Sequence, residues 1–332
     1  MTVAPGSPES TAGARRLLAA ALAQRRAAGS RRWLTTLTFW IMVGPLVLGL
    51  LVFTFAPIVW GFLLSLHDAR GVISLAKPVG LANYQDVLRD PEFIKSLSIV
   101  IRFAAFIVPT TYSFSLLLAI LVQNASFGQG FFRSVFFIPT AISYVVASMI
   151  WRMSIFNGMP FGMANAFLWL FKARPITWIG TVDPPWYWLV LVTVRLWLQV
   201  GFYMIVFIAA MQDIPSELYE AAQVDGAESR WTLFWKITFP LLRNTSVFVL
   251  LINIIHAFNA FAEFFNILGG TYATTSGLLR LARPPLVYLY QAAMADQDYG
   301  RGTAGAFILA ALIIIATLIQ AKISGGLGRE AY

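Results

Sequence analysis

The chain contains no cysteine among its 332 residues. That removes disulfides, thiol nucleophiles, thiolate metal sites and iron–sulfur ligation together. Histidine is nearly absent too, with two copies, so zinc and haem chemistry have almost nothing to work with. Charge is scarce: 12% of the residues are charged, against about 25% in an average soluble domain. Hydrophobic residues make up 58% and the mean hydropathy is +0.72. A soluble fold of this size could not hide that much apolar surface, so the excess faces lipid and the chain reads as an all-α integral membrane protein. A P-loop is missing as well. Of Lys77, Lys95, Lys172, Lys236 and Lys322, only Lys95 precedes Ser or Thr, and Ile94 stands before it, so no Gly-Lys-Ser/Thr cradle for ATP exists here. Nor do the apolar runs offer the His, Asp, Ser or metal-ligand constellation that an intramembrane enzyme needs.

What is present is six apolar stretches, each of roughly the 20 residues a bilayer core takes: about Thr38–Leu66, Leu97–Gln123, Phe131–Phe156, Tyr187–Met211, Thr245–Leu268 and Thr303–Ile323. The formal net charge of +9 includes Arg15, Arg16, Arg25, Arg26, Arg31 and Arg32 in one N-terminal tail. Ahead of the first apolar run these residues are a topology signal and suit an anionic leaflet, so they place the tail in the cytoplasm rather than on nucleic acid. Six spans then return the C-terminus to the same side. The expected organisation is an Arg/Ala-rich tail over 1–34, a domain of six spans over 35–324 and a C-terminal tail over 325–332. The first run is longer than a signal-peptide core and is read as a retained span. Between spans, Asp90–Phe93 offer cap residues, and Met163–Phe171 reads as a short apolar helix lying at the outer interface or packed as a re-entrant loop. Arg102 and Arg152, near span ends, read as snorkelling groups.

The connector over 214–243 does not belong to the lipid pattern. It carries Glu217, Glu220, Asp225, Glu228, Arg230 and Lys236 between two spans. Ser216 is placed to cap a helix whose first turn holds Glu217 and Glu220. Asp225-Gly226 breaks it, and Trp231, Phe234, Trp235 and Ile237 form a second amphipathic run that ends at Pro240. The small residues Ala221, Ala222, Gly226 and Ala227 permit close approach by another protein. An elbow that only orients its two spans explains the same pattern.

EAAQVDGA at 220–227 with PLL at 240–242 resembles the EAA loop of permease subunits of binding-protein-dependent ABC importers. Other segments resemble the carbohydrate-uptake branch, the maltose and glycerol-phosphate type: GLANYQDVLRDPEF at 80–93, GFFRSVFFIPTAIS at 130–143, WLQVGFYMIVFIAAMQDIP at 197–215 and LVYLYQAAMADQDYGRGTAGA at 286–306. The resemblance covers most of residues 40–322. It implies the type I importer permease fold with a cytoplasmic coupling helix, in a bacterial cell membrane. It also implies a homologous second permease, two copies of a cytoplasmic ATPase and an extracytoplasmic solute-binding protein as partners. ATP and Mg would then sit on the ATPase, with no cofactor and no catalysis on this chain. Carried over, Glu217, Glu220, Ala221, Ala222, Asp225, Gly226 and Ala227 form the docking turn, and Pro240 couples it to the fifth span. Two departures touch the solute: Gly269-Gly270-Thr271 replaces a Gly-Gly-Pro turn, and the acid expected just after Phe261 appears one step later, at Glu263.

Polar groups at membrane depth need a partner or a wet cavity. Asn253, His256, Asn259 and Glu263 follow helical spacing on the fifth span, and Arg195 and Gln199 share a face of the fourth. One reading is a translocation pathway for a polyhydroxylated solute, with Trp197, Tyr203 or Phe258 stacking on sugar faces. The other is structural: Arg195 pairs with Glu263 and the amides satisfy one another. The expected solute is a sugar or oligosaccharide, moved by alternating access. Glycerol 3-phosphate or a glycerophosphodiester is the alternative within the class, and ion-coupled secondary transport resting on Glu263 is the alternative outside it.

Overall fold

Lipid offers the backbone no hydrogen-bonding partner, so long apolar runs satisfy themselves as helix. The computed structural model is helical throughout its named elements and describes residues 33, 36–75, 77–227, 229–269 and 282–323. The arginine tail, the C-terminal tail over 325–332, Glu228 and the stretch over 270–277 lie outside the described residues. The chain divides into two units, Met1–Leu63 and Leu64–Tyr332. The first unit supplies nearly all of α1 (Thr36–Ser65), which is apolar on every side and shows Met42, Phe53 and Val59 on its surface. A helix hydrophobic all round is a buried or a membrane-spanning one.

In the second unit, α2 (Ala82–Arg89) leads into α3 (Pro91–Gln123). Asp90 caps α3, its carboxylate accepting from Glu92 N at 2.8 Å, and Pro91 takes the first turn, where no intrahelical N–H is needed. At 33 residues, α3 is about 50 Å long and overreaches a hydrocarbon core of about 30 Å. Next come α4 (Gln129–Ala141), α5 (Tyr144–Ile155) and the short α6 (Met163–Leu170), then α7 (Tyr187–Gln212). The chain continues through α8 (Ser216–Val224), α9 (Arg230–Leu241), α10 (Arg243–Phe258) and α11 (Ala262–Ile267). It closes with α12 (Pro285–Tyr290), extended as a wider turn over Gln291–Ala295, and α13 (Tyr299–Ile323).

Two of the six expected spans are not single rods. Among the described residues four helices are long and apolar enough to cross a membrane, and six spans result if each bent pair makes one. Between α4 and α5 the axis turns by 98°, because Ile142 and Ser143 take extended backbone after the Pro139 turn. Between α9 and α10 it turns by 67°, at Leu242. Pro240 therefore lies inside α9, one residue before its end, rather than terminating it. The fifth run also divides. Asn259 folds its amide back onto the Ile255 carbonyl at 2.9 Å and closes α10, so Glu263 sits on the separate α11.

α3 and α7 run side by side in the same direction. Phe103 lies 6.2 Å from Trp188 near their beginnings, and Tyr112 lies 5.4 Å from Phe207 further along. Around them are two apolar clusters, one joining Ile107, Trp151, Leu191 and Phe264, the other joining Leu116, Tyr203, Phe207 and Leu242. α4 crosses α7 at Gly201, where a Cβ would lie 1.8 Å from the Phe136 carbonyl oxygen. Only glycine permits that approach.

Candidate coupling and translocation sites

The elbow is built as its residues require. α8 begins at Ser216 with Pro215 before it, so the expected cap is displaced by one residue and Ser216 makes no side-chain cap bond. Proline favours that position by its fixed φ. At the other end Gly226 N donates to the Gln223 carbonyl at 3.0 Å and Ala227 N to the Ala222 carbonyl at 2.9 Å. That pair of bonds is a Schellman cap, and Gly226 supplies its left-handed residue at φ +89°. Glu217, Glu220, Ala221, Asp225 and Gly226 are exposed, Ala222 and Ala227 half-buried, and Pro240 exposed at the far end of α9. Tyr219 Oη lies 3.0 Å from Thr238 Oγ1 and ties α8 to α9. The result is an exposed turn, small on its surface, rigid at its base and attached to spans on both sides.

At membrane depth, Arg195 and Glu263 form an ion pair whose side chains are 4% and 2% exposed. Arg195 also donates to the His256 carbonyl and, at 3.1 Å, to Gln199 Oε1. Its guanidinium lies 5.2 Å from the Tyr144 ring centroid. Each of the arginine's three side-chain nitrogens thus donates to a protein acceptor. His256 Nδ1 lies 3.1 Å from Gln199 Nε2 and 3.2 Å from Tyr203 Oη. Asn253 is turned away, its amide reaching the Val108 carbonyl on α3 at 3.4 Å, so the four polar residues of the fifth run do not share one face. Asn259 is exposed at the end of α10, and Trp197 packs on Trp151 with ring centroids 4.9 Å apart.

Beside this network is a cavity of about 250 Å³. Thr140, Ile142 and Tyr144 line it from the α4–α5 bend, Gln199, Phe202 and Tyr203 from α7, and His256 from α10. Of the eight candidate pathway residues, Gln199, Tyr203 and His256 line it, whereas Arg195, Trp197, Asn253, Asn259 and Glu263 do not. Thr140 and Tyr144 were not anticipated. Their only sequence signal is the helix-breaking Pro139 that aims them.

A second polar cluster, also unanticipated, closes the end of the bundle opposite α8. Asp90 accepts from Tyr288 Oη at 2.5 Å and is paired with Arg301, Arg283 bridges to Glu92 at 2.7 Å, and Arg70 to Asp298 at 2.8 Å. Burial by itself raises the Asp90 carboxyl. Its hydrogen bonds from Tyr288 and Glu92 N and the Arg301 charge outweigh that, and hold it below the ordinary aspartate value. Burial and the Asp90 contact push the Tyr288 phenol up.

Bent spans, an exposed elbow and a cavity beside the bend suit the permease component of a binding-protein-dependent importer. The sequence profile of the family described as "Binding-protein-dependent transport system inner membrane component" matches residues 112–328, and the chain belongs to that family. Among its relatives, the sn-glycerol-3-phosphate transport system permease protein UgpA of Agrobacterium fabrum is 30% identical over 85% of this chain and 92% of its own length. The arabinooligosaccharides transport system permease protein AraP of Bacillus subtilis is 32% identical over 88% of this chain and 90% of its own. Among solved structures, the bacterial alginate ABC transporter in complex with alginate pentasaccharide-bound periplasmic protein contains a similar chain. The TM-score is 0.75 at 20% identity, covering 91% of this chain and 98% of that one. The fold is the type I permease fold of ABC importers.

Proposed function

We propose that this chain is one of two permease subunits of an ATP-driven importer for a neutral sugar or oligosaccharide. It works by alternating access, with α8 on the cytoplasmic side. The exposed α8 turn docks on a partner ATPase. When two ATPase copies close on ATP and Mg, the elbows are drawn together and the attached spans rock. An extracytoplasmic binding protein delivers the solute to the opposite face.

The observation that carries the choice of solute is the charge balance of the cavity. Its lining holds hydroxyl, amide and imidazole groups with aromatic faces, but no Asp, Glu, Lys or Arg. The nearby Arg195 is already neutralised by Glu263, so among the described residues that line the cavity no free cation awaits a phosphate. A volume of about 250 Å³ falls short of the about 300–1,000 Å³ of small-molecule sites, which suits a pathway completed by a second permease.

The test is ATP hydrolysis by the complex purified through this chain from its own membrane. Neutral oligosaccharides presented with the binding protein stimulate hydrolysis, and Glu220→Lys loses the stimulation. Stimulation by glycerol 3-phosphate alone overturns the choice of solute. ATP-independent, proton-driven uptake with no ATPase in the complex overturns the coupling and turns attention to Glu263.

A further inference from the structure

About a third of the way along α3 and near the beginning of α7, the two helices border a groove of about 570 Å³. Phe103 and Phe106 form one wall, and Trp188, Leu189 and Val192 the other. The lining is mostly aromatic and aliphatic. Its one charged lining residue is Arg102.

Arg102 makes no ion pair among the described residues. Its guanidinium reaches only its own helix, the Ser98 carbonyl at 3.2 Å and Ser98 Oγ at 3.4 Å. Those bonds direct it back toward the start of α3, as helical side chains lean. An uncompensated cation is costly in hydrocarbon, about 2.5–3.5 kcal/mol at the centre, so a lipid-facing arginine seeks the interface. On the neighbouring helix the half-buried Trp188, at the start of α7, lines the groove at the level of Phe103, and tryptophan is enriched at membrane interfaces. The anions available there are lipid phosphates. A helix of a second permease packed into the groove would have to bring its own carboxylate or bury the guanidinium unpaired.

We infer that the α3–α7 groove is a seat for one anionic phospholipid, with its phosphate on Arg102 and an acyl chain between Phe106 and Val192. In the proposed orientation this is an outer-leaflet lipid. The inference rests on α3 and α7 spanning the membrane and is independent of the solute. Its floor ring, Phe103, also packs edge-on against Phe264 at 5.0 Å, next to Glu263.

Native mass spectrometry of the complex purified from its own membrane tests this without any transport readout. Wild type retains phosphatidylglycerol added to the detergent in preference to phosphatidylcholine. Arg102→Gln lowers that retention about tenfold, the loss of one charge-assisted bond, and Arg102→Lys largely restores it. Val192→Trp, which fills the groove and keeps the arginine, also loses the lipid. Glycerol phosphate without acyl chains does not compete. Equal retention in wild type, Arg102→Gln and Val192→Trp complexes of the same monodispersity overturns the seat. So does high-yield cross-linking to the second permease from Phe106→Cys, which would carry the only thiol of the chain.

Discussion

The Arg195–Glu263 pair decides what its neighbours are free to do. A buried ion pair adds little net stability over apolar residues of the same size, but removing one partner costs about 3–5 kcal/mol, because the other charge stays buried and unpaired. Glu263→Gln is therefore expected to lower the folded yield and the melting temperature in detergent sharply. The double variant Arg195→Met/Glu263→Leu recovers most of both. If the double variant also transports normally, the pair is helix–helix glue. Loss of transport at recovered stability assigns it to the pathway. Both readings of these residues stand open at the level of sequence, because spacing puts polar groups on a face without saying what lies opposite. The structure supplies the opposite side: Glu263, Tyr144 and the His256 carbonyl.

Elements here are set by their breaks as much as by their apolar runs. Two glycines show the contrast. At Gly201 an added Cβ strikes the Phe136 backbone on α4, so Gly201→Ala forces two helices apart, an overpacking of about 1–3 kcal/mol. Lower yield and a lower melting temperature are expected. At Gly226 an added Cβ meets nothing within 4 Å, and only its left-handed backbone resists, by about 1–2 kcal/mol. Gly226→Asp is expected to insert at normal levels yet abolish uptake, since the turn presents that residue outward. Normal transport by this variant at normal expression would remove the elbow from the coupling route. The elbow is visible in sequence because charges and Asp-Gly interrupt hydropathy there. The 98° bend between α4 and α5 is not, because apolar residues continue straight through it and Pro139 alone does not set an angle.

Across the whole molecule, the end opposite α8 is held by residues far apart in the chain. Asp90 and Arg301 are separated by 211 positions, and their contact joins the starts of α3 and α13. Its pH dependence follows from the Asp90 shift. The folded carboxyl titrates below the unfolded value of about 3.9, so its contribution is fully present above that value and is lost as the pH falls through the lower folded one. Thermal melts of wild type and Asp90→Asn are expected to differ most near neutrality and to converge as that folded value is passed. A constant difference across the range would remove the ionised carboxylate from the clasp. Loop charges carry no periodicity, so sequence gave this cluster no signal beyond the Asp90 cap.

Composition and pattern by themselves determined the solvent, the helical class, the approximate spans, and the elbow with its capping glycine. These are local properties: hydropathy over about 20 residues, a breaker dipeptide, a run of charges between two apolar stretches. The tertiary structure alone decided where spans bend, which buried charges cancel, and which of eight candidate pathway residues face a cavity. Those outcomes depend on what arrives from distant chain segments. In a low-dielectric interior a polar group's role is set by its partner, and local sequence offers Arg195 and Glu263, 68 residues apart, as an ion pair or as pathway residues without choosing between them.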